Sequence, residues 1–547
     1  MYNKIIFIII VIVFSIAIFS CKTGKEEPYK NNLKRPNILI AISDDQSFPH
    51  TSFAGSEFVK TPGFDRIASS GIYFTNCMAG SPGCAPSRSA LVTGRHHWQN
   101  EQSGQHAAGW FKKFVPFVDV LEESGYHVGS TAKGVSPFRY SRNEDDSLLR
   151  SEDAAGKKFN KYRYEPGTPG DIRPANEINT LNYYANFEDF MSQRQEDTPF
   201  YFWYGSTEPH RAFEKDSWKR TDKKLADAEV PGFLPDNEII KGDLLDYAVE
   251  IEWFDRHLVK MINYLDSIGE LDNTIVIVTS DNGMAFPRAK ANAYEYGIHV
   301  PLAISFPAEV PGNRVVEDPV GFIDIAPTLL EMTGTSTEGM LPITGKSISE
   351  ILKSDKSGVV NPDRKYVFSG RERHSSSRWQ NLGYPQRAIR SKDYLFIWNI
   401  KPERYPAGAP QTFSDETKTL LNPLYGINAE GEHISNHAFT DIDACPAKSF
   451  IVENHEDPDV QKYFELAVGL RPEFELFNIK TDPYCLTNLA GNENYAEVEA
   501  EMKAALLQEL EETGDPRVVG PDKEVFDSYP RYSPMRYFPE PYWVGGE

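Results

Sequence analysis

The chain has 547 residues, too many for one ordinary domain, so two are expected. Its hydrophobic content is that of a globular protein. With 57 basic against 79 acidic residues the formal charge is −22. That balance argues against a nucleic-acid partner, and it means that an anionic ligand would need a local basic pocket, a metal or sugar contacts to bind.

The run from Ile5 to Phe14 follows Lys4 and continues to Ile18-Phe19-Ser20-Cys21. It is shorter than a comfortable membrane span and reads as the apolar region of a signal peptide. Small Ser20 before Cys21 resembles a bacterial lipobox, with cleavage before Cys21 and lipid carried on Cys21. Ordinary secretion or an uncleaved anchor are the alternatives. Residues 1–21 are thus expected to be a lipoprotein-type signal peptide and residues 22–35 a polar tether. An exported protein follows, touching a bacterial membrane only through its lipid and facing the periplasm or the cell surface. Three other cysteines, Cys77, Cys445 and Cys485, allow at most one disulfide, and none has zinc-ligand spacing.

From Pro36 the chain alternates strand and helix signals. Asn37 to Ile42 is a short apolar run, as in a strand buried on both faces of a parallel sheet, and it ends in Ser43-Asp44-Asp45. Ligand sites in such sheets lie beyond strand C-termini, and two adjacent carboxylates there call for a cation. A helix is expected over 65–70 and a strand over 72–74. Then comes Cys84-Ala85-Pro86-Ser87-Arg88, with a helix expected from Ser87 and a stop at Gly94. Pro86 should hold Ala85 extended, which puts Cys84 just before a helix N-terminus, where an anion is favoured. Arg88 lies one turn on. A helix over 117–124 and a strand over 127–131 deliver Lys133. Residues 141–176 read as a polar surface insertion, and 179–193 as a helix. The aromatic strand 199–204 leads to Glu208-Pro209-His210. His210 suits a general acid, because histidine ordinarily titrates near neutrality. A long helix over 243–268 precedes the apolar strand 274–279, which ends in Ser280-Asp281-Asn282. Asp44, Asp45, Asp281 and Asn282 together offer the oxygen ligands that calcium prefers, with Mg²⁺ as the alternative.

The βα alternation stops near residue 355. Strands over 366–368, 386–390, 394–399 and 473–477, with a helix over 494–512, predict a smaller antiparallel α+β unit. Arg371, Arg373, His374 and Arg378 cluster at its start and are candidate substrate contacts. The tail from Pro516 is expected to wrap the surface or rim the cleft.

The motif Cys84-x-Pro86-Ser87-Arg88, followed by Thr93-Gly94, resembles the maturation motif of the type I (formylglycine-dependent) sulfatases of the alkaline-phosphatase-like superfamily. Further landmarks recur in order to about residue 490, most closely those of the heparan N-sulfatase (sulfamidase)-like branch. The resemblance implies an α/β fold with a large, mixed, mostly parallel sheet flanked by helices. It also implies a catalytic domain over 36–360 and a C-terminal α+β subdomain with tail over 361–547. It implies hydrolysis of sulfate groups on a sulfated oligosaccharide or polysaccharide, algal such as ulvan or of heparan type, with N-sulfoglucosamine hydrolysis as the alternative. In the family Cys84 becomes formylglycine (3-oxoalanine), made by a formylglycine-generating or sulfatase-maturating enzyme. One Ca²⁺ lies on Asp44, Asp45, residue 84, Asp281 and Asn282. Arg88, Lys133, His210 and Lys290 complete the catalytic set. Two positions depart from the family pattern: Val135 stands where G-K-x-H has His, and His299, a candidate substrate contact, replaces Arg in Tyr294-Glu295-Tyr296-Gly297-Ile298-His299-Val300-Pro301. Phosphoesterases of the same superfamily are one rival; they use Ser or Thr with zinc. A surface lipoprotein that only binds glycans is another.

Overall fold

A computed structural model describes residues 34–414, 417–418 and 421–544. The expected signal peptide, Cys21 and nearly all of the expected tether lie outside the described residues. From Pro36 onward the chain forms one compact unit that carries two main sheets.

The larger sheet has seven strands: β1 (Asn37–Ser43), β2 (Ile72–Phe74), β4 (His127–Ala132), β5 (Phe200–Gly205), β6 (Thr274–Ser280), β7 (Leu302–Ser305) and β8 (Arg314–Val316). A two-stranded ladder joins β3 (Cys77–Met78) to β9 (Val320–Gly321). Spatial order in the large sheet is β4-β5-β1-β6-β7-β2-β8. All pairs are parallel except those of β7 with β6 and β2, so the sheet is mixed and mostly parallel.

The apolar runs are continuous because both faces are covered. Ile38, Ile40, Tyr201, Trp203, Ile275 and Ile277 join one core cluster. Their neighbours Leu39, Ala41, Phe200, Phe202, Val276 and Val278 join the other. Successive side chains on a strand point to opposite faces, so each strand feeds both cores. The long helix, Glu238–Ser267, starts five residues earlier than expected because Asn237 caps it, accepting from the amides of Ile239 and Ile240.

The smaller sheet is antiparallel, in the order β10 (Val367–Arg371), β11 (Gln386–Arg390), β12 (Tyr394–Asn399) and β13 (Phe474–Asn478). The helix Ala496–Glu512 lays Met502, Leu506 and Leu510, four residues apart, on Ile389, Phe396 and Leu476. The chain's end then runs back over the first half: the Tyr532 amide donates to the Ala107 carbonyl at 2.7 Å. Cys77, Cys84, Cys445 and Cys485 are all buried, unpaired thiols. Among the described residues no helix is long and apolar enough to cross a membrane.

Candidate active site

Four parallel strands empty their loops at one end of the sheet. β1 and β6 run in register from Asn37 opposite Thr274 to Ser43 opposite Ser280, so both acidic turns leave the sheet at the same level. The turns are tied together: the Asp281 amide donates to the Ser43 carbonyl at 3.1 Å, and the Asp45 amide to Asp281 Oδ1 at 3.1 Å. Asp45 sits at φ 76°, a left-handed conformation that aspartate tolerates better than most residues. Lys133 leaves β4, and His210 follows β5 by five residues.

The Cys84 helix begins earlier than the sequence suggests. It spans Cys84–Thr93, with extended Gly83 before it and left-handed Gly94 closing it. Pro86 is accommodated because the first turn of a helix needs no amide donors, so Ala85 is helical rather than extended. Cys84 is therefore the first helical residue. Gly83 lies under His374: a β-carbon there would stand 3.0 Å from the imidazole Nδ1. Ser87 Oγ donates to the Asp281 carbonyl at 2.6 Å, which locks the helix to the β6 turn.

Three buried carboxylates face three cations. Arg88 Nε meets Asp281 at 2.7 Å, and Arg88 Nη1 donates to the carbonyls of Lys133 and Gly134, both at 3.0 Å. Lys133 Nζ meets Asp44 at 2.5 Å, and Lys290 Nζ meets Asp45 at 2.6 Å. Asn282 Nδ2 donates to Asp45 at 2.8 Å. Oxygen atoms remain over: Asp44 Oδ1 and Asn282 Oδ1 are buried with no hydrogen-bond partner among the described residues. A carboxylate oxygen of Asp44, one of Asp281 and the Cys84 sulfur all lie within 4.8 Å of one another. Burial pushes the Cys84 thiol up, only partly offset by Lys133, so the unmodified residue is not poised as a thiolate.

A second cluster adjoins the first. Oxygen atoms of Asp45 and Asp443 and a ring nitrogen of His210 lie within 4.8 Å of one another. His210 Nδ1 is 2.6 Å from the Arg211 carbonyl, which makes Nδ1 the donor of that bond. Arg211 is itself fixed by two bonds to Asp243 at 2.7 and 2.9 Å. Lys290 bridges the two clusters, reaching Asp443 at 3.0 Å. Burial opposes the Lys290 charge, but Asp443 and Asp45 hold it well above the ordinary lysine range. A cavity of about 450 Å³ opens onto Asp44, Cys84, Lys133 and His210.

The other candidates are directed elsewhere. Arg371 and Arg378 both grip Asp441, at 2.8 and 2.6 Å, and both donate to the Pro406 carbonyl. Arg373 donates to the carbonyls of Tyr529 and Pro530 at 2.7 and 3.0 Å. Arg371 and Arg378 thus form an internal brace, and His374 stands over Gly83, the residue before Cys84. Buried His299 holds Glu295 at 2.7 Å and stacks on Phe48 at 3.8 Å between ring centroids. Val135 is fully buried in the core beside the site. His106 and Asp443 line or adjoin the pocket and were not singled out from the sequence. His106 contacts His374 ring to ring at 5.1 Å, and its Nδ1 is buried without a partner among the described residues. Both residues lie in irregular segments with no motif around them.

A sequence profile of the sulfatase family matches residues 36–335, more than half of the chain. An ulvan-active sulfatase of Formosa agariphila is 24% identical over 511 residues, covering 88% of this chain and 76% of the relative. Human N-sulphoglucosamine sulphohydrolase is 23% identical over 531 residues, covering 89% and 92%. A solved enzyme in complex with its substrate D-glucosamine-2-N,6-O-disulfate superposes with a TM-score of 0.59 at 17% identity, covering 89% of this chain and 99% of that one, which is a likeness of fold. The profile match spans both acidic turns and the Cys84 helix, and the chain belongs to the sulfatase family.

Proposed function

We propose that the protein removes sulfate from a sulfated carbohydrate, with a formylglycine made from Cys84 and one bound calcium ion. The observation that carries the reading is the convergence of two in-register acidic turns on the first residue of the Cys84 helix. The donors fit a hard cation: they are oxygens, and two buried ones, on Asp44 and Asn282, have no protein partner among the described residues. Asp44, Asp45, Asp281 and Asn282 would hold the ion, and it would neutralise sulfate oxygens and acidify a hydroxyl on residue 84. A formylglycine hydrate would supply the attacking oxygen and a second hydroxyl, which a thiol lacks.

The chain's own groups then have separate tasks. Arg88 fixes Asp281 and with it the second acidic turn. Lys133 and Lys290 bring positive charge to where the sulfo group binds. His210, oriented through Nδ1, can pass a proton from Nε2 to the departing oxygen or nitrogen, which would otherwise leave as a poor anion. The zinc phosphoesterase reading has less support, because those enzymes use Ser or Thr where this chain has Cys84 in Cys84-x-Pro86-Ser87-Arg88.

The relatives support sulfated sugars as the substrate class. The ulvan-active relative favours sulfate esters, and the human relative keeps N-sulfoglucosamine as a second reading. A maturating enzyme acting on Cys84 before folding is implied, since Cys84 is only 1% exposed in the folded chain. Residues 5–21 support export and lipid anchoring. The test is sulfate release by the mature protein from N-sulfoglucosamine, glucosamine 6-sulfate and ulvan oligosaccharides, with metal analysis. Release from at least one, with one calcium per chain, is expected. No release from any of them by protein shown to carry formylglycine would refute the reading.

A further inference from the structure

The helix Glu238–Ser267 carries four buried carboxylates, Asp243, Asp246, Glu250 and Asp255. Three have partners. Asp243 receives Arg211 twice. Asp246 accepts from the amides of Asp216 and Trp218 and from Ser217 Oγ, at 2.9, 3.0 and 2.7 Å. Asp255 accepts from the amides of Gly63 and Phe64 at 2.7 and 2.8 Å. The fourth is different. Glu250 is 2% exposed, and its Oε1 is buried with no hydrogen-bond partner among the described residues.

Nothing nearby compensates it. Burial, then the like charges of Glu208, Asp246 and Glu177, push its carboxyl well above the usual carboxylate range. Glu208 cannot serve as a donor, because its oxygens already accept from Tyr183, Ser206 and the Asn179 amide. A buried polar atom without a partner is destabilising and calls for an explanation. The explanation lies in the cavity: Glu250 lines the same space as Cys84, Lys133 and His210. That space therefore has one wall built for an anion and another that presents an unanswered carboxyl.

We propose that Glu250 is a specificity residue, which receives a hydroxyl or ammonium donor of the sugar while its sulfo group faces Cys84 and Lys290. This rests on the carbohydrate reading above. A sugar that brings the donor answers the buried carboxyl. A ligand that lacks it leaves the carboxyl unanswered, and sites of that kind discriminate strongly. The unpartnered state of the free protein is then the cost of that selectivity, as at other functional sites where stability is given up.

The test uses the mature protein with Glu250→Gln and Glu250→Leu. Thermal unfolding comes first. Both variants are expected to melt at or above the wild-type temperature, since no protein partner is lost; a lower melting temperature in both would mark a structural role and overturn the proposal. Kinetics on glucosamine 6-sulfate, glucose 6-sulfate and 4-nitrophenyl sulfate come second. Glu250→Leu is expected to lower kcat/KM for the sugar sulfates by about 10–100-fold, chiefly through KM, and for the aryl sulfate far less. If the donor is an ammonium, Glu250→Gln abolishes a preference for glucosamine over glucose; if it is a hydroxyl, the two sugars fall together. Equal factors for sugar and aryl sulfates overturn the proposal, as does a wild type that cleaves the aryl sulfate and neither sugar. A wild type that cleaves none of the three, and neither N-sulfoglucosamine nor ulvan oligosaccharides, counts against the sulfatase reading itself, and the melting comparison then decides the role of Glu250 alone.

Discussion

Asp441 offers a severe test of the brace that carries His374 to the Cys84 helix. Its carboxylate accepts from Arg371 at 2.8 Å, Arg378 at 2.6 Å, the Ser375 amide at 3.0 Å and Ser377 Oγ at 2.6 Å. Asp441→Asn keeps the shape and removes the charge, leaving two buried guanidinium groups facing each other without compensation. Breaking a buried ion pair from one side costs about 3–5 kcal/mol, and two cations here share one anion. We therefore expect a loss in that range by urea unfolding of the mature protein, with an unchanged m-value. The pH dependence has a definite sign. Burial works against the Asp441 charge, but Arg378 and Arg371 hold its carboxyl well below its ordinary 3.8. A depressed folded-state pKa means that the contribution is present above the unfolded value and is lost as pH falls below it. The gap between wild type and variant should stay constant from pH 8 to 5 and begin to narrow below about pH 4, shrinking progressively as pH falls towards the depressed folded-state pKa. A loss under about 1 kcal/mol, the range of an exposed pair, would refute the argument.

Cys84→Ala should abolish sulfate release and change the urea midpoint little, and mass spectrometry of the wild type should show the aldehyde at position 84; full activity in the variant would end the reading. Asp281→Asn should remove bound calcium and activity together, and should also destabilise the fold by about 3–5 kcal/mol, because Arg88 loses its buried partner. Equal metal content in variant and wild type would contradict it. His210→Ala should slow glycan sulfates by about 10²–10⁴-fold and aryl sulfates much less, because only the former have basic leaving groups. If both fall by one factor, His210 binds rather than protonates.

The parts of the fold legible in the sequence were those with a period or a stop. Runs such as Thr274 to Thr279 read as strands buried on both faces, and the two cores on either side of the sheet explain why they lack polar alternation. The acidic turns were legible because they follow such strands. Helix starts were less so: a cap such as Asn237, or the extended Gly83 that lets the helix begin at Cys84, depends on backbone geometry that a motif does not report. The basic cluster was hard to read for another reason. Sequence displays the charges of Arg371 and Arg378 but not their pairing with Asp441, which lies 70 and 63 residues further on and is shared by both. Asp443 and Glu250 were invisible in the same way, since their importance comes from what they do or do not touch.

An acidic protein that acts on an anion must solve its electrostatics at two ranges. At long range the charge of −22 repels a sulfated glycan. At short range Asp44, Asp45 and Asp281 are matched by Lys133, Lys290 and Arg88, and Asp443 on Lys290 adds one more carboxylate, so a bound divalent cation would leave these groups with a single positive charge. Salt separates the two ranges. The Debye length falls from about 30 Å at 0.01 M to about 8 Å at 0.15 M, which screens the distant surface charges but hardly touches pairs buried a few ångströms from the substrate. Raising ionic strength over that interval should therefore increase kcat/KM for a multiply sulfated oligosaccharide, by more than for a singly charged aryl sulfate. This is opposite in sign to the salt response of an enzyme that steers its substrate with a charged surface. If kcat/KM instead falls with salt, the glycan is being drawn in by an exposed basic surface, and the short-range balance at Cys84 is not what overcomes the repulsion.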